Sequence, residues 1–196
     1  MSETPVYGLV LAGGKSRRMG QDKALLERDG VSQLSHTVAL LESHVERVFV
    51  STRPDQQDEP ERQRYAQIVD RYEDLGPLAG ILSAMQEYPE VDWLVVACDL
   101  PNIGDETLTH LLAERSGEHP FTAYVSSHDG LPEPLCAIWR AGTTDIIEGF
   151  VDEDIRCPRQ ILIRSDTHLI NQVDPSSLDN VNTPDDLAGS VLGAGT

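Results

Sequence analysis

The chain predicts a three-layer α/β domain with a doubly wound sheet, mixed but mainly parallel, and helices on both faces. Three observations lead there. Strand-length apolar runs alternate with helix-period segments through the first half of the chain. The longest unbroken apolar run, residues 93–98, has the length and composition of a central strand. After residue 120 two strand-like runs follow one another with only a turn-rich stretch between them, which suggests an antiparallel addition.

The elements follow in order. Residues 6–12 read as a buried strand that stops at Gly13-Gly14, and a loop runs from there to about Asp22. Residues 33–44 have helical spacing, with Leu34, Val38, Leu41 and Val45 on one side and Ser32 as N-cap. Residues 47–51 form a second strand, 55–64 a polar surface loop or frayed helix, and 68–69 a short strand. Gly76-Pro77 announces a helix over 78–87, and 92–98 is the central strand. A helix over 105–115 precedes strands at 121–125 and 135–139. Helices over 143–151 and 158–164, a strand at 168–173 and a last helix capped by Thr183, with Pro184 in its first turn, complete the chain. The whole, residues 1–196, reads as one domain without repeats or low-complexity segments.

Composition narrows the function. Three cysteines and six histidines form no CxxC or HExxH pattern, which argues against zinc and for reduced thiols in a cytoplasmic protein. The first seven residues carry no basic residue ahead of an apolar run, so no signal peptide is predicted. No apolar run approaches a membrane span of roughly 18 residues. The net charge of −18 disfavours nucleic acid and anionic lipid as partners. Yet Lys15, Arg17, Arg18, Lys23 and Arg28, against Asp22 and Glu27, make a segment of +3 in a remainder of −21. A basic island in an acidic chain is what a site for an anion requires.

That island lies in Leu11-Ala12-Gly13-Gly14-Lys15-Ser16-Arg17-Arg18-Met19-Gly20-Gln21-Asp22-Lys23. Paired glycines after a strand let backbone N–H groups approach a ligand, Arg17 and Arg18 can fork onto phosphate oxygens, and Lys23 adds a compact charge. Position 9 is Leu9, where a P-loop needs glycine, and no GxGxxG is present. In doubly wound sheets ligands sit beyond the carboxyl ends of the strands, at a topological switch point. Gly13, Arg53 and Asp99 each follow a strand closely.

The thirteen-residue string resembles the LAGGxSxRMGxDK signature of the molybdenum-cofactor guanylyltransferases, within the Rossmann-like nucleotidyltransferases. Asp70 with Gly76-Pro77-Leu78-Ala79-Gly80 is similar to the family's D…GPLAG segment, and Cys98-Asp99-Leu100-Pro101 to its CDxP metal motif. Pro134-Leu135 matches a middle region, and Asn180-Val181-Asn182-Thr183-Pro184 the C-terminal NxNTP. The resemblance implies a Rossmann-like fold and transfer of GMP from GTP to the terminal phosphate of molybdenum-bound molybdopterin. It implies nucleotide contacts from Leu11, Ala12, Gly13, Gly14, Lys23, Arg53, Asp70 and Asp99, magnesium at Asp99, and acceptor contacts from Asn180 and Asn182. Lys23, Asp99 and Arg17 are the residues expected to carry catalysis. The family tends to have Asn where this chain has Arg53, so Arg53 bears on base identity. Transient contact with molybdoenzyme maturation proteins is a further implied partnership.

Acceptor attack on the α-phosphorus needs positioning and charge neutralisation rather than a general base. Magnesium takes one or two carboxylates plus phosphate oxygens. Asp99 has a turn-forming role as its other reading. Leu25-Leu26 are expected to anchor Lys23 near the core. Asp70 either binds nucleotide or pairs with Arg71 or another nearby base, and Asn180 and Asn182 also suit ordinary helix entry. Trp93, Trp139 and Cys98 read as core. A cytidylyltransferase for the same cofactor is the nearest rival, disfavoured by Gly14 where those chains tend to have alanine. Sugar-1-phosphate enzymes are usually longer. A nucleotide-binding regulator without turnover is the rival from another class, and the pair Lys23 and Asp99 counts against it.

Overall fold

The computed structural model describes residues 4–13 and 22–180. One seven-stranded sheet runs β5-β4-β1-β6-β8-β7-β9. Its strands are β1 (Val6–Leu11), β4 (Arg47–Thr52), β5 (Gln67–Val69), β6 (Asp92–Ala97), β7 (Phe121–Val125), β8 (Pro132–Trp139) and β9 (Thr167–Asn171). β1 pairs in parallel with β4 and β6, and β4 with β5. β8 runs antiparallel to both β6 and β7, and β9 returns parallel to β7. The sheet is therefore mixed but mainly parallel, and the helices cover both faces.

The layering follows from which side chains each strand sends where. Leu9, Trp93 and Val95 face α2 (Pro77–Glu87), α4 (Thr144–Asp152) and α5 (Pro158–Arg164), meeting Leu78, Ile81, Ile147 and Ile161 in one core. Val10, Leu94 and Val96 face α1 (Gln33–Glu42) and α3 (Asp105–Ala113), meeting Leu34, Val38, Leu41, Leu108 and Leu111 in the other. Burial on both faces explains why β6 lacks polar alternation. Trp93 and Trp139 are fully buried, and Cys98 packs in the second core, as expected.

Ser32 caps α1 through a hydrogen bond from the Ser35 N–H. Pro77 occupies the first turn of α2 behind Gly76, whose φ of 55° is a left-handed conformation that suits glycine. β8 begins three residues before the expected 135, and its two prolines lie outside the ladder with β6, which starts at Cys136. A small hairpin, β2 (Glu27–Arg28) and β3 (Val31–Ser32), escaped the sequence reading. Its Asp29-Gly30 turn, with φ of 54° and 76°, is a recognisable hairpin signal.

The sheet order reverses direction at β1: β4 and β5 lie to one side, β6 and the rest to the other. The switch point therefore sits at the carboxyl ends of β1 and β6, where Leu11 is in register with Ala97.

Candidate active site

Gly13 and Asp99 each lie two residues past the end of their strand, β1 and β6, and flank the crevice at the switch point. Cys98 N–H donates to Leu11 O at 3.2 Å, which keeps the two chain segments together just before they diverge. Lys23 opens a short 3₁₀ turn, residues 23–25, and its Nζ lies 3.3 Å from Asp99 Oδ2, with the two side chains 15% and 18% exposed. Asp22 caps that turn, its Oδ1 accepting from Ala24 N–H at 3.0 Å. Ala24 is 1% exposed and anchors the turn, whereas Leu25 is 37% exposed. The anchoring expected of Leu25-Leu26 thus falls to Ala24, because the tight turn directs Ala24 inward.

Asp99 divides its oxygens. Oδ2 faces Lys23, while Oδ1 is buried with no hydrogen-bond partner. A buried anionic oxygen without a donor is costly unless a cation meets it. Among the described residues no group of three or more His, Cys, Asp or Glu side chains gathers. A divalent ion at Oδ1 would therefore take its remaining ligands from substrate phosphates and water, the habit of magnesium rather than zinc. The donor set fits.

The other wall of the crevice comes from β4 and β5. Asp70, one residue past β5, accepts from Ser51 Oγ at 2.8 Å, and its N–H donates to Thr52 O at 2.8 Å. Burial pushes the Asp70 carboxyl up to about 6, against the lowering influence of the Ser51 hydroxyl and the Arg53 charge. Arg71, the first base proposed as its partner, points away and pairs with Glu87. Arg53 lies between the walls. Its Nη1 donates to Gly13 O at 2.5 Å, while Nε and Nη2 grip Asp55 at 2.9 Å each.

Two glycines make close contacts here. A Cβ on Gly13 would lie 3.3 Å from Asp70 Oδ2, so the loop base sits against this carboxylate. A Cβ on Gly80, in α2, would lie 2.2 Å from Ser51 Oγ and 3.1 Å from Leu11 Cδ2. α2 can thus approach β1 and β4 only as glycine at that position, which explains the second glycine of Gly-Pro-Leu-Ala-Gly.

Asn180 lines a separate cavity of about 580 Å³, with Asp74, Gly76, Pro77, Glu133, Pro134, Arg156 and Arg159 among its other walls. Arg159 is held by Asp129 at 2.8 Å and Glu133 at 3.1 Å. Gly14, Arg17 and Asn182 lie outside the described residues, as does the helix expected after Thr183. Of the remaining site residues, the fold brings Leu11, Ala12, Gly13, Lys23, Arg53, Asp70 and Asp99 to the strand ends, while Asn180 borders the cavity beside the start of α2. Sequence reasoning missed Ser51, Asp22 and Gly80 as parts of the site, and it missed Arg62. The stretch 55–64 was expected to be a polar surface loop or frayed helix, but Arg62 is completely buried.

Comparison with known proteins agrees with this arrangement. Residues 8–168 match the MobA-like NTP transferase domain. A molybdenum cofactor biosynthesis bifunctional protein of Synechocystis is 38% identical over 95% of this chain, which spans only 54% of that relative. A probable molybdenum cofactor guanylyltransferase of Bacillus mycoides is 33% identical over 91% of this chain and 92% of its own length. The crystal structure of molybdopterin-guanine dinucleotide biosynthesis protein A from Archaeoglobus fulgidus superposes with a TM-score of 0.74 at 27% identity, covering 93% of this chain and 95% of that one. The chain belongs to the MobA-like NTP transferase family, as a nucleotidyltransferase with a Rossmann-like fold.

Proposed function

We propose that the chain transfers GMP from GTP to the terminal phosphate of a molybdopterin-type acceptor, with magnesium as its metal, in the cytoplasm and as one domain over residues 1–196. The observation that carries the reading is the strand-end pair Lys23 and Asp99, with one Asp99 oxygen buried and unmatched. The names of the relatives from Bacillus mycoides and Archaeoglobus fulgidus support the guanine nucleotide and the acceptor.

In this reading an oxygen of the acceptor phosphate attacks the α-phosphorus of GTP, the bond from that phosphorus to the β-bridging oxygen breaks, and pyrophosphate leaves. Asp99 Oδ1 would hold the magnesium, which when bound neutralises phosphate charge and orients the phosphates. Lys23, released from Asp99 Oδ2 as phosphate arrives, places its ammonium on the triphosphate. Gly13, without a side chain, lets the loop base lie against Asp70 and leaves its backbone open to the nucleotide, and Asp70 with Ser51 lines the nucleoside end. Arg53 fixes the Gly13 carbonyl rather than reading the base directly. Gly14 and Arg17 belong to the same loop and are assigned to the phosphates. Asn180 and Asn182 are assigned to the acceptor, and the cavity beside Asn180 offers room for a bicyclic or tricyclic group. No helix among the described residues is long and apolar enough to cross a membrane. Delivery of the product to molybdoenzyme maturation proteins completes the proposal.

The test is pyrophosphate release from GTP, CTP and ATP in competition, with molybdopterin or its molybdenum-loaded form as acceptor. GTP is expected to win. A win for CTP would move the chain to cytidylyl transfer, and tight triphosphate binding without turnover would point to a different acceptor or to a regulator.

A further inference from the structure

Arg62 has no place in the chemistry above, yet it is completely buried and its bonds converge on the glycine-rich loop. Its Nη2 donates to Ala12 O at 2.6 Å and to Asp22 Oδ2 at 2.8 Å. Its Nη1 donates to Glu59 Oε2 at 3.1 Å, and the same carboxylate oxygen accepts from the Arg62 N–H at 3.0 Å. Glu59 Oε1 accepts from Glu61 N–H at 3.0 Å, so the turn carrying Arg62, residues 62–64, is itself held from below.

The two partners on Nη2 are not arbitrary. Ala12 precedes the paired glycines, and Asp22 immediately precedes Lys23. One nitrogen therefore ties Ala12 on one side of the basic loop to Asp22 on the other, across fifty and forty positions of sequence respectively. Asp22 is also shared: Oδ2 meets Arg62, while Oδ1 caps the turn that begins with Lys23. Both Asp22 oxygens are thus engaged, one on the buried guanidinium and one on the turn whose first residue, Lys23, reaches Asp99.

We propose that Arg62 is a positioning residue for nucleotidyl transfer, clamping Ala12 and Asp22 so that Lys23 meets the triphosphate beside Asp99. The proposal rests on the assignment of Lys23 to the triphosphate. A planar guanidinium suits the task because it presents several donors in fixed directions, which lysine does not. A displacement of the order of an ångström at a neutralising group is worth about 10²-fold in rate, so a residue that never touches substrate can matter this much.

The experiment is a double-mutant cycle. Arg62→Lys keeps charge and loses the fork, and Asp22→Asn keeps an acceptor for Ala24 and loses the charge facing Arg62. Each is made alone and in a Lys23→Ala background, and thermal unfolding identifies the folded variants. Pyrophosphate release gives kcat and KM for GTP, and calorimetry gives GTP affinity with magnesium. Acting through Lys23, each change should lower kcat by about 10-fold to 10²-fold in the wild-type background and by less than about twofold in the Lys23→Ala background. Should Arg62→Lys fail to fold, Asp22→Asn carries the same cycle. Equal losses in both backgrounds, or full activity in a folded variant, would overturn the proposal. If the wild-type chain releases no pyrophosphate, the guanylyl reading falls, and the same cycle on GTP affinity still decides the clamp: non-additive weakening supports it and additive or absent weakening overturns it.

Discussion

The crevice has two carboxylates placed by the same rule and given different surroundings. Asp99 follows β6 and Asp70 follows β5, each just past the carboxyl end of a parallel strand. Asp99 faces an ammonium at 3.3 Å and keeps one buried oxygen without a donor. Asp70 faces a neutral hydroxyl at 2.8 Å, and burial pushes its carboxyl up to about 6. Strand-end position therefore decides where a carboxylate sits, and the counter-charge decides what it can do. The Asp99 wall carries an ion pair and a buried oxygen left for a cation, and the Asp70 wall carries a hydrogen-bonded carboxyl in a close-packed corner.

The largest effect should come from breaking the Asp99 wall. Asp99→Ala should lower kcat by on the order of 10³-fold, since several kcal/mol of charge stabilisation go with it. It should leave thermal unfolding near wild type, because an uncompensated buried oxygen is removed. Turnover at the wild-type rate in limiting magnesium would refute the metal assignment. Lys23→Ala should cost less, about 10²-fold in steady-state turnover, and its weakened triphosphate binding should fall less steeply with salt than the wild type's. An unchanged salt dependence would mean that Lys23 does not meet phosphate.

Changes on the Asp70 wall should be seen first in stability and its pH dependence. Gly80→Ala forces a methyl into Ser51 Oγ at 2.2 Å and should destabilise the fold by about 1–3 kcal/mol in denaturant unfolding. A wild-type midpoint would show that α2 can step away from β4 without loss. For Asp70 the linkage has a definite sign. With its carboxyl raised from 3.8 to about 6, the folded state holds a proton that the unfolded state releases. Its contribution to stability is thus greatest at low pH, declines as pH rises from about 4 to about 6, and is level above that. Asp70→Asn should gain on wild type across that window, and a constant difference between the two melting curves would remove the assignment. The smallest effect is reserved for Ser51→Ala. Losing the hydroxyl removes a lowering influence on Asp70, so the level region should begin at a higher pH.

Much of this was legible before any fold was known. The alternation of strands and helices, the uninterrupted apolar run of β6 and the glycine pair after β1 each follow from local chemistry, and they put Gly13, Arg53 and Asp99 just past strand ends; the expectation of nucleotide contacts from Gly13, Lys23, Asp70 and Asp99 came from the family resemblance. The hairpin at Asp29-Gly30 was legible too, through its dipeptide, but its strands are only two residues each and carry no periodicity. Arg62 was not legible. It stands in a run of charged residues whose every local feature says surface, and its burial is compensated by Glu59 nearby in sequence and by Ala12 and Asp22 far from it. Of the roles the sequence left open for Asp70, the ion pair with Arg71 falls away because Arg71 pairs with Glu87, and the base that acts on Asp70 is Arg53, which no local pattern pointed to.

What the sequence by itself determined is therefore local: which residues lie at strand ends, which segment carries the positive charge, and where a glycine pair follows a strand. Those properties are local, set by backbone periodicity and by side-chain chemistry within a few positions. What only the tertiary structure decided is who compensates whom. Lys23 finds Asp99 across 76 residues, Ser51 finds Asp70 across 19, and Arg62 finds Asp22 across 40. Such pairings depend on the sheet order β5-β4-β1-β6, which brings chain ends together that no local pattern relates. Electrostatic energy depends on distance through space and on burial, and the fold sets both.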